Sequence, residues 1–428
     1  MSEPERILSL FSFDWDQAAQ RRLAPRFRFE QAGFDLFQFP SSAQLLWFDM
    51  LGWVDKLAQR YSERVKAGDL HAVVSHDEQF GALAAALLGE KLGLPHSPAQ
   101  AVATIQHKLL LRQVIQRAAP HANVEFSALD CEYGQMPPQG LRYPLFIKPM
   151  KAAFSVLARR IDSYEQLVEH TRFGIFEQWI IRRLTKPFND VARTLVSMPV
   201  DADHMIVEEP IAADQFNLDG YVCDGQVHSL GVVDAIMVPG TQAFLRFAYP
   251  SKLAPDIQQH AQRVAAAVLK EAGYTHGFFN MEFFHEASTG RLSVIEINPR
   301  AASQLADLYR WVDGNDVAAM ALDLFCGRTP STTPKQTPVA GAAASFVFRS
   351  FGEPPPPAAS EEAKAWLKQA YPDARLMEFR KSHNNLKRDL KWLGSLRYAV
   401  LDMHAPTEQE LHRRYSEICE RLGWPCVL

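Results

Sequence analysis

The stretch GFFNMEFFHEASTGRLSVIEINPR, residues 277 to 300, decides how this chain is read. Ser288, Thr289 and Gly290 carry turn chemistry between two runs rich in apolar residues, so the segment reads as a β-hairpin centred near Thr289. Symmetric pairing about that residue makes partner numbers sum to 578 and sets Glu282 opposite Glu296. Period two then places Asn280 on the face of Glu282, and Asn298 on the face of Glu296. The alternate residues Phe279, Met281, Phe283, Ile295 and Ile297 are expected to pack beneath.

Carboxylates opposed across two strands lie roughly 5 Å apart and repel unless a cation lies between them. Carboxylate and amide oxygens converging at that distance form a hard-oxygen site, suited to magnesium bridging substrate phosphates. The bland alternative is an exposed face whose acids only aid solubility, and a one-residue slip would turn every side chain over. Arg300, just past Pro299, could clamp a carboxylate or a developing oxyanion, or equally form an ordinary salt bridge.

Upstream of the hairpin, Lys148 closes the apolar run PLFIKP, and Lys108 lies on a helix that starts at Pro98, with Arg112 one turn further. A lysine at a strand end facing a cleft suits phosphate binding, although a lone lysine is more often merely solvated. Asp77 and Glu78 follow the strand HAVVS, at the carboxyl end where α/β domains place their sites, and are candidates for recognising an amine. Asp77 reads equally well as an N-cap of the helix that follows. Arg246 in FLRFAYP is a candidate for a substrate carboxylate, with a surface arginine the simpler reading.

The totals narrow the classes. The chain has 428 residues and a formal net charge of −4, which excludes a broad electrostatic footprint for nucleic acid and predicts two to four domains or subdomains. Its five cysteines are scattered without zinc spacing, so neither a disulfide framework nor a structural zinc is expected. The N-terminus lacks signal-peptide character, and no apolar run approaches the roughly 18 residues of a membrane span. A reduced, cytoplasmic, soluble protein with no nucleic-acid or membrane partner is expected.

Short apolar runs at 6 to 13 and 71 to 75 and a helical pattern at 79 to 92, closed by Gly93, predict a parallel α/β domain over residues 1 to 103. No GxGxxG follows the first strand, which leaves a dinucleotide reading with little support. YVCDGQVHSLGVV reads as a hairpin on Asp224-Gly225, and Asp256 to Ala272 as a helix followed by Gly273. After a composition break at 329 to 339, residues 331 to 428 read as a small α+β unit, with a strand near 397 to 403 and a helix from about 407 to 421.

Lys108, FIKP at 146 to 149, VEEP at 207 to 210, NMEFF at 280 to 284 and EINPR at 296 to 300 stand in an order and spacing that resembles the ATP-grasp superfamily, in the branch of L-amino acid ligases and biotin carboxylase-like proteins. GLPHSPAQAVATIQHK at 93 to 108 resembles the segment leading to the first nucleotide lysine of that family. The resemblance covers about residues 70 to 330. It implies a multidomain α/β and α+β chain: an N-terminal parallel α/β (pre-ATP-grasp) domain, an ATP-grasp domain over 104 to 330 with a lid at about 145 to 206, an antiparallel central sheet and the C-terminal unit. By the same resemblance, Lys108 and Lys148 would contact ATP phosphates, Glu208, Glu209, Pro210 and Ile211 would line the adenine, and Glu282, Glu296 and Asn298 would hold two magnesium ions, with manganese as a substitute. Arg300 would contact the acyl substrate or intermediate.

This sequence departs from the family in three places. The loop after Lys148 reads MKAAFSVLARR where relatives carry glycines, leaving Ser155 and its backbone to cover the phosphates with Lys151 adding charge. Gln215 stands where relatives often have a glutamate for the ribose hydroxyls, and AAS at 301 to 303 replaces a commonly glycine-rich stretch. The resemblance implies an ATP-dependent carboxylate–amine ligase working through an acyl phosphate on small-molecule acids and amines, with homodimers the expected assembly. Carboxylation of bicarbonate in the manner of biotin carboxylase, and a non-catalytic ATP-binding module, are the alternatives.

Overall fold

The computed structural model describes residues 3–34, 43–152, 156–331, 339–352, 354–379 and 390–428. The chain opens with β1 (Glu5–Leu10), α1 (Asp14–Leu23), β2 (Phe27–Ala32), α2 (Met50–Lys66), β3 (Ala72–Val74) and α3 (Gly81–Leu92). The three strands are parallel in the order β2-β1-β3. Ile7, Leu8 and Leu10 of central β1 are fully buried, as a parallel strand covered on both faces requires. Asp49 caps α2 by accepting from Gly52 N at 3.2 Å, and the helix buries Met50, Val54, Leu57 and Tyr61 at helical spacing. Helix α3 is buried all round from Gly81 to Gly89 and stops at Gly93, whose φ of 67° is the left-handed conformation that ends helices.

The single helix expected from Pro98 is two, α4 (Ala99–Gln106) and α5 (Lys108–Ala118). His107 adopts an extended conformation between them and its ring accepts from Leu110 N, capping α5. The amide of Lys108 turns away from α4 and donates to Met150 O at 3.0 Å. The break leaves Lys108 on the first turn of a helix, where unsatisfied N–H groups favour anions.

Next come β4 (Phe126–Glu132), β5 (Leu145–Pro149), β6 (Arg159–Ile161), α6 (Tyr164–Thr171), α7 (Ile175–Leu195) and β7 (His204–Glu208), whose strands form an antiparallel sheet in the order β4-β7-β5-β6. The chain continues through β8 (Asp214–Cys223), β9 (Gln226–Met237), β10 (Phe244–Tyr249), α8 (Pro255–Glu271), β11 (Gly277–Glu286), β12 (Arg291–Asn298), α9 (Ala306–Val312) and α10 (Val317–Phe325). It ends with β13 (Ala342–Ser350), α11 (Glu361–Ala370), β14 (Arg375–Glu378), β15 (Leu396–Ala405) and α12 (Glu408–Leu422). Strands β8 to β15 make one antiparallel sheet of eight, in the order β12-β11-β8-β9-β10-β13-β15-β14, so the C-terminal strands extend the central sheet. Part of the composition break, residues 332 to 338, lies outside the described residues.

One apolar core runs from the N-terminal unit through α4 and α5, under β11 and β12, and into the four-stranded sheet. Phe279, Met281, Phe283, Val294 and Ile297 belong to it, each at most 2% exposed. The acidic hairpin therefore stands on packed side chains rather than on a loop, which fixes where its polar face points.

Candidate functional site

Hairpin β11–β12 turns at Glu286 to Gly290, where Gly290 N donates to Glu286 O at 2.8 Å and Gly290 has φ 72°. Near the site the partners are Asn280 with Asn298, Met281 with Ile297, and Glu282 with Glu296, as the arithmetic expects. Closer to the turn the register slips by one, Phe283 facing Val294, through a β-bulge that leaves Ile295 over. The expectation that Ile295 packs beneath is therefore corrected. Val294 takes the core place, fully buried, while Ile295 is half-buried and lines the cleft. The carbonyl of Ile295 accepts from Lys148 Nζ at 3.2 Å and from Arg112 at 3.1 Å.

Neighbouring β8 brings more polar groups to this face. Gln215 Nε2 donates to Glu282 Oε2 at 2.9 Å, so its amide is engaged with the acidic pair. Asn298 Nδ2 lies 3.4 Å from Asn280 Oδ1, Asn280 Nδ2 donates to Asp219 Oδ1 at 3.0 Å, and Tyr309 OH donates to Asp219 Oδ2 at 2.7 Å. Burial pushes Asp219 up to about 6 against these donors. This chain of contacts orients Asn298 from behind.

The cations approach from the opposite wall. Lys108 Nζ is 3.0 Å from Glu296 Oε2, and Lys148 Nζ is 2.9 Å from Glu208 Oε2. Arg112 completes the wall: its Nε is 2.7 Å from Glu208 Oε1, and it donates to Val294 O at 2.6 Å. Burial alone would raise Glu208, but Arg112 and Lys148 outweigh it and hold the carboxyl down to about 2. Burial lowers the Lys148 ammonium, with Glu208 opposing. For the facing pair, burial and the charge of Glu296 push Glu282 up, while Lys108 and Lys148 overcome burial to keep Glu296 below the usual range. Two half-buried carboxylates and a buried amide on one rigid face, with a proton disfavoured on one acid and favoured on the other, fit a hard divalent cation that would take the proton's place.

A cleft of about 1410 Å³ separates the two sheets, and Lys108, Lys148, Glu282 and Glu296 line it. Glu209, Pro210 and Ile211 line it at the hinge between β7 and β8, beside Phe146 and Phe284. The carboxylate of Glu208 is spent on Arg112 and Lys148, whereas that of Glu209 meets Arg291. Ser155 lies outside the described residues. Beyond it Leu157 takes φ 58°, its N–H donates to Trp392 O at 2.8 Å, and Leu393, Gly394 and Ser395 line the cleft. A C-terminal segment thus braces the glycine-poor loop.

On the far side of Arg300, Glu78 accepts from Gln106 Nε2 at 2.9 Å and pairs with Lys151 Nζ at 3.2 Å, and Arg300 Nε lies 3.4 Å from its Oε2. Arg300 and Glu78 are brought together; Asp77 is not. Its carboxylate accepts from Phe80 N and Gly81 N, both at 2.7 Å, which is the cap the sequence offered as the alternative. Arg246 sits on β10, three strands from β11, and does not line the cleft, although its register partner Ile236 does.

Several partners were not foreseen: Asp219, the role of Arg112 as a clamp, and residues 393 to 395. Arg112 had a signal, its position one helical turn from Lys108 on the same face.

Two sheets closing on a nucleotide-sized cleft, with lysines facing an acid pair, define the class. Residues 141–307 match the family model described as ATP-grasp domain, so the chain contains an ATP-grasp domain. Solved structures share the fold along nearly the whole chain. The L-amino acid ligase from Bacillus licheniformis is 15% identical with a TM-score of 0.68, covering 98% of each chain. The N5-carboxyaminoimidazole ribonucleotide synthetase from Thermus thermophilus is 15% identical with a TM-score of 0.64, covering 99% of this chain and all of its own. Biotin carboxylase from Campylobacter jejuni, described as a beta-gamma-ATP complex, is 13% identical with a TM-score of 0.61, covering 98% of this chain and 92% of its own. No curated protein matches in sequence.

Proposed function

We propose that this protein is an ATP-dependent carboxylate–amine ligase that forms an amide or peptide bond between small molecules such as amino acids. The observation that carries the reading is the convergence of Lys108, Lys148, Glu282 and Glu296 on one cleft large enough for a nucleotide, with Asn298 buried beside Glu282. The fold shared with the L-amino acid ligase supports the reaction class.

Glu282, Glu296 and Asn298 would hold magnesium, which when bound supplies charge neutralisation at the phosphates. Lys108 and Lys148 would bind the β- and γ-phosphates, and Glu209 to Ile211 would border the adenine. A substrate carboxylate oxygen attacks the γ-phosphorus, the bond to the β–γ bridging oxygen breaks, and ADP leaves with that electron pair. The amine then attacks the acyl carbon, phosphate departs, and the amine proton passes to solvent. Arg300 binds the acyl oxygens in both steps, exchanging its contact with Glu78 for the substrate. Residues 145–206 act as the lid that excludes water from the acyl phosphate. We take 1–103, 104–330 and 331–428 as the working division of the chain, and a cytoplasmic homodimer as the working assembly.

Screening pairs of amino acids for phosphate release, with mass detection of product, tests this. Release that requires both an acid and an amine, with product mass equal to their sum less water, supports it. Release that requires bicarbonate instead would transfer the site to carboxylation.

A further inference from the structure

A second polar cluster lies at the far end of β8 from Gln215. Cys223 is the last residue of β8, Asp224 opens the two-residue turn into β9, and His276 immediately precedes β11. The Cys223 sulfur, a carboxylate oxygen of Asp224 and a ring nitrogen of His276 all lie within 4.8 Å of one another. His276 Nε2 sits 3.0 Å from Leu324 O, a group that can only accept, so Nε2 carries the proton and Nδ1 keeps its lone pair. That Nδ1 faces Asp224 Oδ1 at 4.0 Å.

The backbone around the cluster is held on both sides. His276 N donates to Ser97 Oγ at 2.8 Å, Ser97 Oγ donates back to His276 O at 2.7 Å, and Gly225 N donates to Thr275 O at 2.9 Å. The Asp224 side chain, 92% exposed, is the adjustable member.

We propose that Cys223, Asp224 and His276 bind a divalent transition ion of the zinc class, at a site separate from the acidic hairpin. Thiolate, imidazole and carboxylate form the borderline-soft donor set that zinc accepts and magnesium does not. The hydrogen bond from His276 to Leu324 is the outer contact that orients a ligating imidazole. Donors at zinc distances stand roughly 3.3 to 3.8 Å apart in a tetrahedron, so Asp224 swings inward on binding. Cys223 gives up its thiol proton to solvent as the metal–sulfur bond forms, with no change of oxidation state. The ion would join the β8–β9 turn to the head of β11, the strand that carries Asn280 and Glu282.

The test is titration of the full-length, reduced, metal-free protein with Co2+. One equivalent should produce a thiolate-to-cobalt charge-transfer band that Zn2+ displaces and excess Mg2+ does not. Cys223→Ser and His276→Gln should lose the band, and Cys426→Ser should keep it. Asp224→Asn, an exposed turn substitution that suits a positive φ, should weaken binding about tenfold or more with an unchanged circular-dichroism spectrum. Absence of the band in the wild type, or its persistence in Cys223→Ser, overturns the proposal. The acidic hairpin carries no thiol, so cobalt bound there gives no such band and the outcome is independent of the ligase reading.

Discussion

The two walls of the cleft hold their charge in different ways. On the four-stranded sheet, Glu208 is shared by Arg112 and Lys148, so its carboxylate is fully engaged before any ligand arrives and one positive charge is left in excess. On the eight-stranded sheet, Glu282 and Glu296 face each other with Lys108 on one of them only. The first arrangement is a buried, hydrogen-bonded ion network whose loss is felt by the fold. The second keeps a deficit of positive charge that a bound cation would fill, and its loss would be felt by chemistry.

Substitutions on the two walls should therefore separate activity from stability. Glu296→Gln is expected to cost at least about 100-fold in magnesium-dependent turnover while leaving thermal unfolding close to wild type; activity within a fewfold of wild type would remove the metal assignment. Glu208→Gln leaves Arg112 and Lys148 without their shared carboxylate, and should destabilise the fold by about 3 to 5 kcal/mol in urea unfolding.

Acid titration sharpens the same contrast. Glu208 has its carboxyl held at about 2, below its ordinary 4.5, so the stability it contributes is present above pH 4.5 and is lost as pH falls toward 2. The wild type should lose part of its unfolding free energy over that window, and Glu208→Gln should lack that part. The smallest effect belongs to Arg246, three strands from β11, where Arg246→Ala should change turnover by no more than about twofold in steady-state assays.

The acidic hairpin was legible in outline because its turn chemistry and strand period are local. The pairing of Glu282 with Glu296 also needs the bulge: from Glu286 with Arg291 to Phe283 with Val294 the strands run one residue off the symmetric register, and the bulge restores it at the acids. The bulge was not legible, since Val294 and Ile295 are both apolar and branched and only the contacts of the Ile295 carbonyl with Lys148 and Arg112 show what the extra residue does. Residues whose partners are distant in sequence escaped for the same physical reason. Leu157 meets Trp392, and Glu78 meets both Lys151 and Arg300, through packing that no spacing rule encodes. The break at His107 was hidden by an apolar pattern that continues across it, with Ile105 buried before the break and Leu109 after it. Asp77 shows the opposite case, a polar residue at a strand end whose cap signal was present beside the functional one and which the fold uses as a cap.

The most direct measurement follows oxygen. With the acid substrate found by screening and labelled with 18O in its carboxylate, turnover with ATP and the amine should yield inorganic phosphate carrying one 18O, since the attacking carboxylate oxygen leaves with the phosphate. Phosphate without label, formed with oxygen from water, would contradict an acyl-phosphate ligase.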